Sequence, residues 1–208
     1  TGGNLAAVMA IRARDRGGPP IALQVLIYPV TDADFCRPSY ADPENQLLLT
    51  REGVSWFWDH YLASEADASN PYAAPMQAES LKGLPPALVI TAEFDPLRDE
   101  GEDYAHRLQD EGVSTKCTRY DGMMHGFFGA PAVLDKAKQA INEASAALTA
   151  AFRAKSPVPA LTATSTPTSS TWHASSPVTR SPRSQAPSSK PLLSTATSSN
   201  RQAAKFPA

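Results

Sequence analysis

An apolar strand followed by an acid, a proline and a helix is the feature that most constrains the fold. Residues 87–91 form a short apolar run, typical of a strand buried on both faces of a parallel sheet. Asp95 stands just past this run, and Pro96 disfavours helical backbone at Asp95. From Leu97 onward apolar residues recur with helical spacing, and Gly112 ends the predicted helix. Asp95 is therefore expected at the carboxyl end of a strand, where open α/β sheets bind their ligands.

The segments around this unit alternate between helix and strand. That order predicts an α/β fold in which a parallel sheet carries helices on both faces. Thr50 is the predicted N-cap of one helix, and Pro131 is the predicted first residue of the last helix. Helices are predicted at 5–16, 51–62 and 131–152, strands at 21–30 and 113–120, and polar loops at 31–45 and 121–128.

The helix predicted at 51–62 has an aromatic face. Such a face fits the protein core, and it fits equally a lid over a substrate cleft, so both interpretations stay open. Its apolar members are Val54, Phe57, Trp58, Tyr61 and Leu62.

Charge divides the chain into two parts. Residues 1–153 hold all 21 Asp and Glu against 13 Lys and Arg, a formal charge of −8. Residues 154–208 hold six Lys and Arg and no acid, in a Ser-, Thr- and Pro-rich sequence without periodicity. We therefore predict a globular domain at 1–153 and a disordered tail at 154–208. The acidic domain argues against nucleic acid as the main partner.

Several further expectations follow from composition. No apolar run is long enough to span a bilayer, and no secretory signal is visible. Cys36 and Cys117 make no disulfide framework, so buried free thiols and a cytoplasmic location are expected. The chain starts at Thr1, inside a motif, which suggests a piece of a longer protein.

Asp95 and His125 are the candidate catalytic residues. Each is expected in a loop after a strand, and the carboxyl ends of parallel strands share one edge of the sheet. A carboxylate there can orient the imidazole, which then takes a proton from a hydroxyl nucleophile. An isolated histidine is more often a packed or surface residue, which is how we interpret His60 and His106; His173 lies in the predicted tail.

Four motifs give the chain a family resemblance. It resembles the C-terminal half of an α/β-hydrolase of the hormone-sensitive-lipase-like carboxylesterases, over residues 1 to about 153. Thr1-Gly-Gly-Asn-Leu-Ala is similar to the end of the family's nucleophile elbow. The acid block at 84–101 implies that Asp95 is the catalytic acid, and the block Tyr120-Asp-Gly-Met-Met-His-Gly-Phe implies that His125 is the base. The segment Ser69-Asn-Pro-Tyr-Ala-Ala-Pro is similar to another family segment.

The resemblance implies hydrolysis of small-molecule carboxylic esters through an acyl-serine, without a metal or organic cofactor. The serine would be the residue before Thr1, and the backbone amide of Thr1 would belong to the oxyanion hole. Because the sequence contains neither that serine nor the family's upstream His-Gly-Gly-Gly loop, the chain by itself is expected to be inactive. Two alternatives are a truncated non-catalytic product and a small-molecule-binding relative on the same fold. The oligomeric state is open.

Overall fold

The computed structural model describes residues 1–155, which form a three-stranded parallel sheet with helices on both faces. The predicted disordered tail therefore lies, apart from its first two residues, outside the described residues. The strands are β1 (Gln24–Ile27), β2 (Ala87–Phe94) and β3 (Thr115–Met124). The helices are α1 (Gly2–Asp15), α2 (Pro38–Ala41), α3 (Arg51–Tyr61), α4 (Arg98–Asp110) and α5 (Asp135–Lys155), with short 3₁₀ turns between some of them.

The sheet has the order β1-β2-β3, and both pairings are parallel. Alternate β2 side chains point to opposite faces, as a strand buried on both sides requires. Val89 packs with α1 and α4 on one face, whereas Ile90 packs with α5 on the other. The predicted α/β architecture is thus confirmed, with β2 at its centre.

A third cluster lies beyond the carboxyl ends of the strands, beneath α3. Val54 and Trp58 of α3 pack there with Tyr40 of α2 and Leu97. The predicted cap is present, since the Thr50 hydroxyl accepts a hydrogen bond from the Gly53 amide at 3.1 Å. Helix α3 is thereby held over the edge of the sheet where Asp95 lies.

Several predicted boundaries were wrong. β3 continues through Met124, in place of a loop starting at residue 121, because Phe94 pairs with Met124 beyond a bulge in the ladder. Helix α5 begins at Asp135, and Pro131 opens a turn before it. β1 is four residues long, and the predicted loop at 31–45 contains α2 and a 3₁₀ turn. The domain boundary at 153 stays a prediction, and α5 runs past it to Lys155.

The predicted burial of the two free thiols needs correction. Cys36 is exposed, because it lies on the surface loop before α2, and Cys117 is only partly buried. On the aromatic face of α3, Phe57 and Tyr61 are 56% and 49% exposed, while Val54 and Trp58 are buried.

None of the helices within residues 1–155 combines the length and apolar character that crossing a bilayer requires.

Candidate active site

Three side chains of interest come directly after the three strands. Tyr28 follows β1, Asp95 follows β2 and His125 follows β3. Because the strands are parallel and adjacent, their carboxyl ends bring these residues to one edge of the sheet. The topology alone thus gathers an aromatic ring, a carboxylate and an imidazole from positions far apart in the chain.

Asp95 and His125 are joined by a hydrogen bond. His125 Nδ1 lies 2.8 Å from Asp95 Oδ2, and the carboxylate is fully buried. The other oxygen, Asp95 Oδ1, accepts a hydrogen bond from the Leu97 amide at 2.9 Å. With both oxygens engaged, the carboxylate has a fixed orientation. When His125 Nδ1 donates its hydrogen to this carboxylate, Nε2 remains as an acceptor that can take a proton.

The loop after Asp95 is held by α2. The Ser39 hydroxyl donates to the Pro96 carbonyl at 2.7 Å, and the Ser39 amide donates to Asp99 Oδ2 at 2.8 Å. Asp99 lies in the first turn of α4, where the helix dipole also favours an acid. These contacts attach the loop that carries Asp95 to α2 and α4, so Asp95 has little freedom to move away from His125.

Tyr28 packs against the imidazole. The ring centroids of Tyr28 and His125 are 4.3 Å apart, with the planes tilted by 51°. Burial, followed by the nearby charge of Asp95, raises the pKa of the Tyr28 phenol above its ordinary value. Tyr28 was not among the predicted site residues, because the strand predicted at 21–30 contains it, whereas β1 ends at Ile27.

A cavity of about 460 Å³ opens beside the imidazole. Its wall is mostly apolar, so it suits an uncharged organic group better than an ion. Thr1 and His125 both line it, as expected if both residues serve one reaction. The other lining residues are Asn4, Leu5, Val30, Leu49, Val54, Phe57, Trp58, His60, Tyr61 and Leu97.

The two interpretations of the α3 aromatic face are therefore both partly right. Val54 and Trp58 belong to the core and also reach the cavity, whereas Phe57 and Tyr61 are exposed at its wall. His60, which we interpreted as a packed or surface histidine, is exposed, and it also lines the cavity.

The Asn4 side chain connects the start of α1 to the loop that follows β1. Its buried side-chain amide donates to the carbonyls of Val30 and Ala73, at 3.0 and 2.8 Å. These bonds fix the start of α1 against the loop that follows β1. Thr1 is the N-cap residue of that helix, so the same contacts restrain Thr1.

Fold and site together define an α/β hydrolase. The α/β-hydrolase fold family matches residues 1–129, well over half of the chain, and the chain belongs to that family. The resemblance to carboxylesterases of the hormone-sensitive-lipase-like group is confirmed by its relatives. It is 44% identical over 131 residues to the carboxylic ester hydrolase LipN of Mycobacterium tuberculosis, covering 61% of this chain and 35% of LipN.

Two further relatives extend the match. The chain is 40% identical over 157 residues to the carboxylesterase NlhH of Mycobacterium tuberculosis, covering 74% of this chain and 49% of NlhH. Among solved structures, the hyperthermophilic esterase of the archaeon Pyrobaculum calidifontis is 43% identical with a TM-score of 0.67. That match covers 74% of this chain and 51% of the esterase. The chain thus spans about a third to a half of the curated relatives it matches.

Proposed function

We propose that this chain carries the acid and the base of a serine carboxylester hydrolase. Asp95 orients the imidazole, His125 is the general base and then the general acid, and the Thr1 amide contributes to the oxyanion hole. The observation that carries the proposal is the 2.8 Å hydrogen bond between His125 Nδ1 and buried Asp95, beside a cavity that Thr1 also lines. The nucleophile is the serine that the family motif places immediately before Thr1.

The reaction begins when the serine oxygen attacks the ester carbonyl carbon while His125 Nε2 takes the hydroxyl proton. The negative charge that develops on the carbonyl oxygen is stabilised by backbone amides, among them that of Thr1. His125 then returns the proton to the departing alcohol, leaving an acyl-serine. Water attacks this intermediate with His125 again as base, and the carboxylic acid is released. Throughout, Asp95 stabilises the imidazolium that forms in each half-reaction.

The substrates that fit this site are esters with small or medium apolar acyl groups. The cavity wall is built mainly from aliphatic and aromatic side chains, and α3 supplies the larger share of the aromatic ones. Such a wall binds an acyl chain by the removal of apolar area from water. The relatives LipN, a carboxylic ester hydrolase, and NlhH, a carboxylesterase, agree with this class of reaction.

By itself the 208-residue chain should hydrolyse no ester. The sequence contains no Gly-x-Ser-x-Gly segment, and Thr1-Gly2 supplies only the last two positions of that motif. A cytoplasmic location also stays a prediction.

A chimera tests the proposal directly. The N-terminal part of the Pyrobaculum calidifontis esterase, up to the residue before the counterpart of Thr1, would be joined to Thr1 and assayed with a chromogenic short-chain ester. We expect turnover, and a fall in kcat of about 10⁴-fold for Asp95→Asn and at least as large for His125→Asn. The matched control is His106→Asn, since His106 is an exposed histidine on α4, away from the site. Full activity of the His125→Asn chimera would disprove the role given to His125.

A further inference from the structure

Tyr28 has an unusual backbone conformation. Its φ is +33°, and it is the only residue other than glycine with a positive φ within residues 1–155. That region is unfavourable for a side chain as bulky as tyrosine, because its Cβ crowds the backbone. Conformations of this kind persist only where the surroundings determine them, and they concentrate at functional sites.

The surroundings of Tyr28 hold it from both sides. Its amide donates to the Ile90 carbonyl at 2.7 Å, which continues the β1–β2 pairing one residue past the end of β1, opposite the middle of β2. The next residue, Pro29, is wedged between two helices at glycines. A Cβ on Gly3 would lie 2.8 Å from Pro29 Cα, and one on Gly101 would lie 3.4 Å from Pro29 Cδ. Pro29, which follows the strained residue, is thus fixed by close packing against α1 that only a glycine at position 3 allows.

The ring of Tyr28 lies against His125. The 4.3 Å separation of the ring centroids is close contact, and the tyrosine ring also lies 6.3 Å from that of Phe127. An aromatic face near an imidazolium stabilises its positive charge. His125 is therefore bounded by the Asp95 carboxylate at Nδ1 and by an aromatic ring against its side.

We propose that Tyr28 is a positioning residue for His125, holding the imidazole plane so that Nε2 remains directed at the cavity. The inference rests on the proposed function, in which Nε2 moves the proton. The contact between Tyr28 and His125 can be tested without ester hydrolysis. Removing the aromatic ring frees the imidazole whether or not a serine is present. The ring is required, rather than the hydroxyl or apolar bulk alone.

The test measures the reactivity of His125 towards diethyl pyrocarbonate in the full 208-residue chain at low concentration. Trypsin releases His125 in the peptide 120–136 and His106 in the peptide 99–107, so mass spectrometry follows each histidine separately. The His125 side chain is 22% exposed in the intact site, so its accessibility can rise when a neighbouring ring is removed. Tyr28→Leu, which keeps apolar bulk, should raise the His125 rate about threefold relative to His106. Tyr28→Phe should react like the unmodified chain.

Each outcome decides the proposal. Equal His125 rates in the Leu and Phe variants would overturn it, because apolar filling would then suffice. A rise in Tyr28→Phe would also overturn it, because the hydroxyl would then be responsible. If Tyr28→Leu also makes the chain susceptible to brief proteolysis in the absence of urea, the chain has opened, and Tyr28→Asn replaces it, since asparagine tolerates positive φ. An unchanged His125 rate in Tyr28→Asn would refute the positioning role. None of these measurements depends on ester hydrolysis. A failure of the positioning role can therefore be told apart from a failure of the proposed function.

Discussion

Substituting Gly3 by alanine tests how tightly α1 is fitted to the end of β1. A Cβ at residue 3 would lie 2.8 Å from Pro29 Cα, 2.9 Å from Pro29 Cβ and 3.0 Å from the Ile27 carbonyl oxygen. Two of these atoms belong to the backbone, so no flexible side chain can move aside. We therefore expect Gly3→Ala to destabilise the fold.

The size of the destabilisation follows from how far these contacts fall short of van der Waals distance. Ordinary van der Waals contact begins at 3.4 Å, so α1 and the Pro29 segment must separate by about 0.6 Å at this point. Overpacking of this kind costs about 1–3 kcal/mol, and the higher helix propensity of alanine offsets less than about 1 kcal/mol of it. The net loss in the free energy of unfolding should be about 1–2 kcal/mol.

Gly2→Ala is the matched control, because a Cβ at Gly2 would meet nothing within 4 Å. It lies in the same helical turn and should leave stability unchanged or slightly higher. Urea unfolding followed by pulse proteolysis at low protein concentration measures both variants. With an m-value of about 1–3 kcal/mol/M, the midpoint of Gly3→Ala should lie roughly 1 M below that of Gly2→Ala. Coincident midpoints would refute the argument that Pro29 is wedged against α1.

Three further predictions concern the rest of the fold. Arg107 donates to the carbonyls of Met76 and Ala78 at 2.5 Å, so Arg107→Met should lower the free energy of unfolding by about 2 kcal/mol and speed proteolysis of the loop before β2. Partial burial alone would raise the pKa of Glu111, but hydrogen bonds from Ser80, Leu81 and Arg107 outweigh it and lower that pKa below 4.5. The stability that Glu111 contributes should therefore be present above about pH 4.5 and lost as the pH falls through the lowered pKa; an equal acid response in Glu111→Gln would contradict this. Because β1 has no partner on its outer side within residues 1–155, the domain alone should self-associate, and sedimentation showing a monomer with one cooperative thermal transition would count against that.

The alternation of strand and helix was sufficient to predict the sheet and the pairing of Asp95 with His125. Both residues follow strands, and parallel topology leaves one edge where their side chains can meet. The prediction needed no knowledge of side-chain conformation, only the direction of the strands. Tyr28 escaped this reasoning because the predicted strand ran to Val30, whereas β1 ends at Ile27.

Features that depend on tertiary contacts could not be read from the sequence. β3 passes through Gly122 because the Gly122 amide donates to Glu93 Oε2 at 2.5 Å and Phe94 pairs with Met124 across the bulge. A glycine in a predicted loop gives no sign of such a partner. The positive φ of Tyr28 is likewise set by Pro29 and its neighbours, which come together only when the domain has folded.

The 30 positions from Asp95 to His125 comprise α4 and β3, and with β2 they form one β-α-β unit. Under the proposed function, the acid and the base therefore lie together on one contiguous segment, separate from the part that would deliver a nucleophile. A recombination breakpoint anywhere before β2 would carry the hydrogen-bonded pair of Asp95 and His125 intact into a new context. Exchange of the preceding segment would leave that pair untouched.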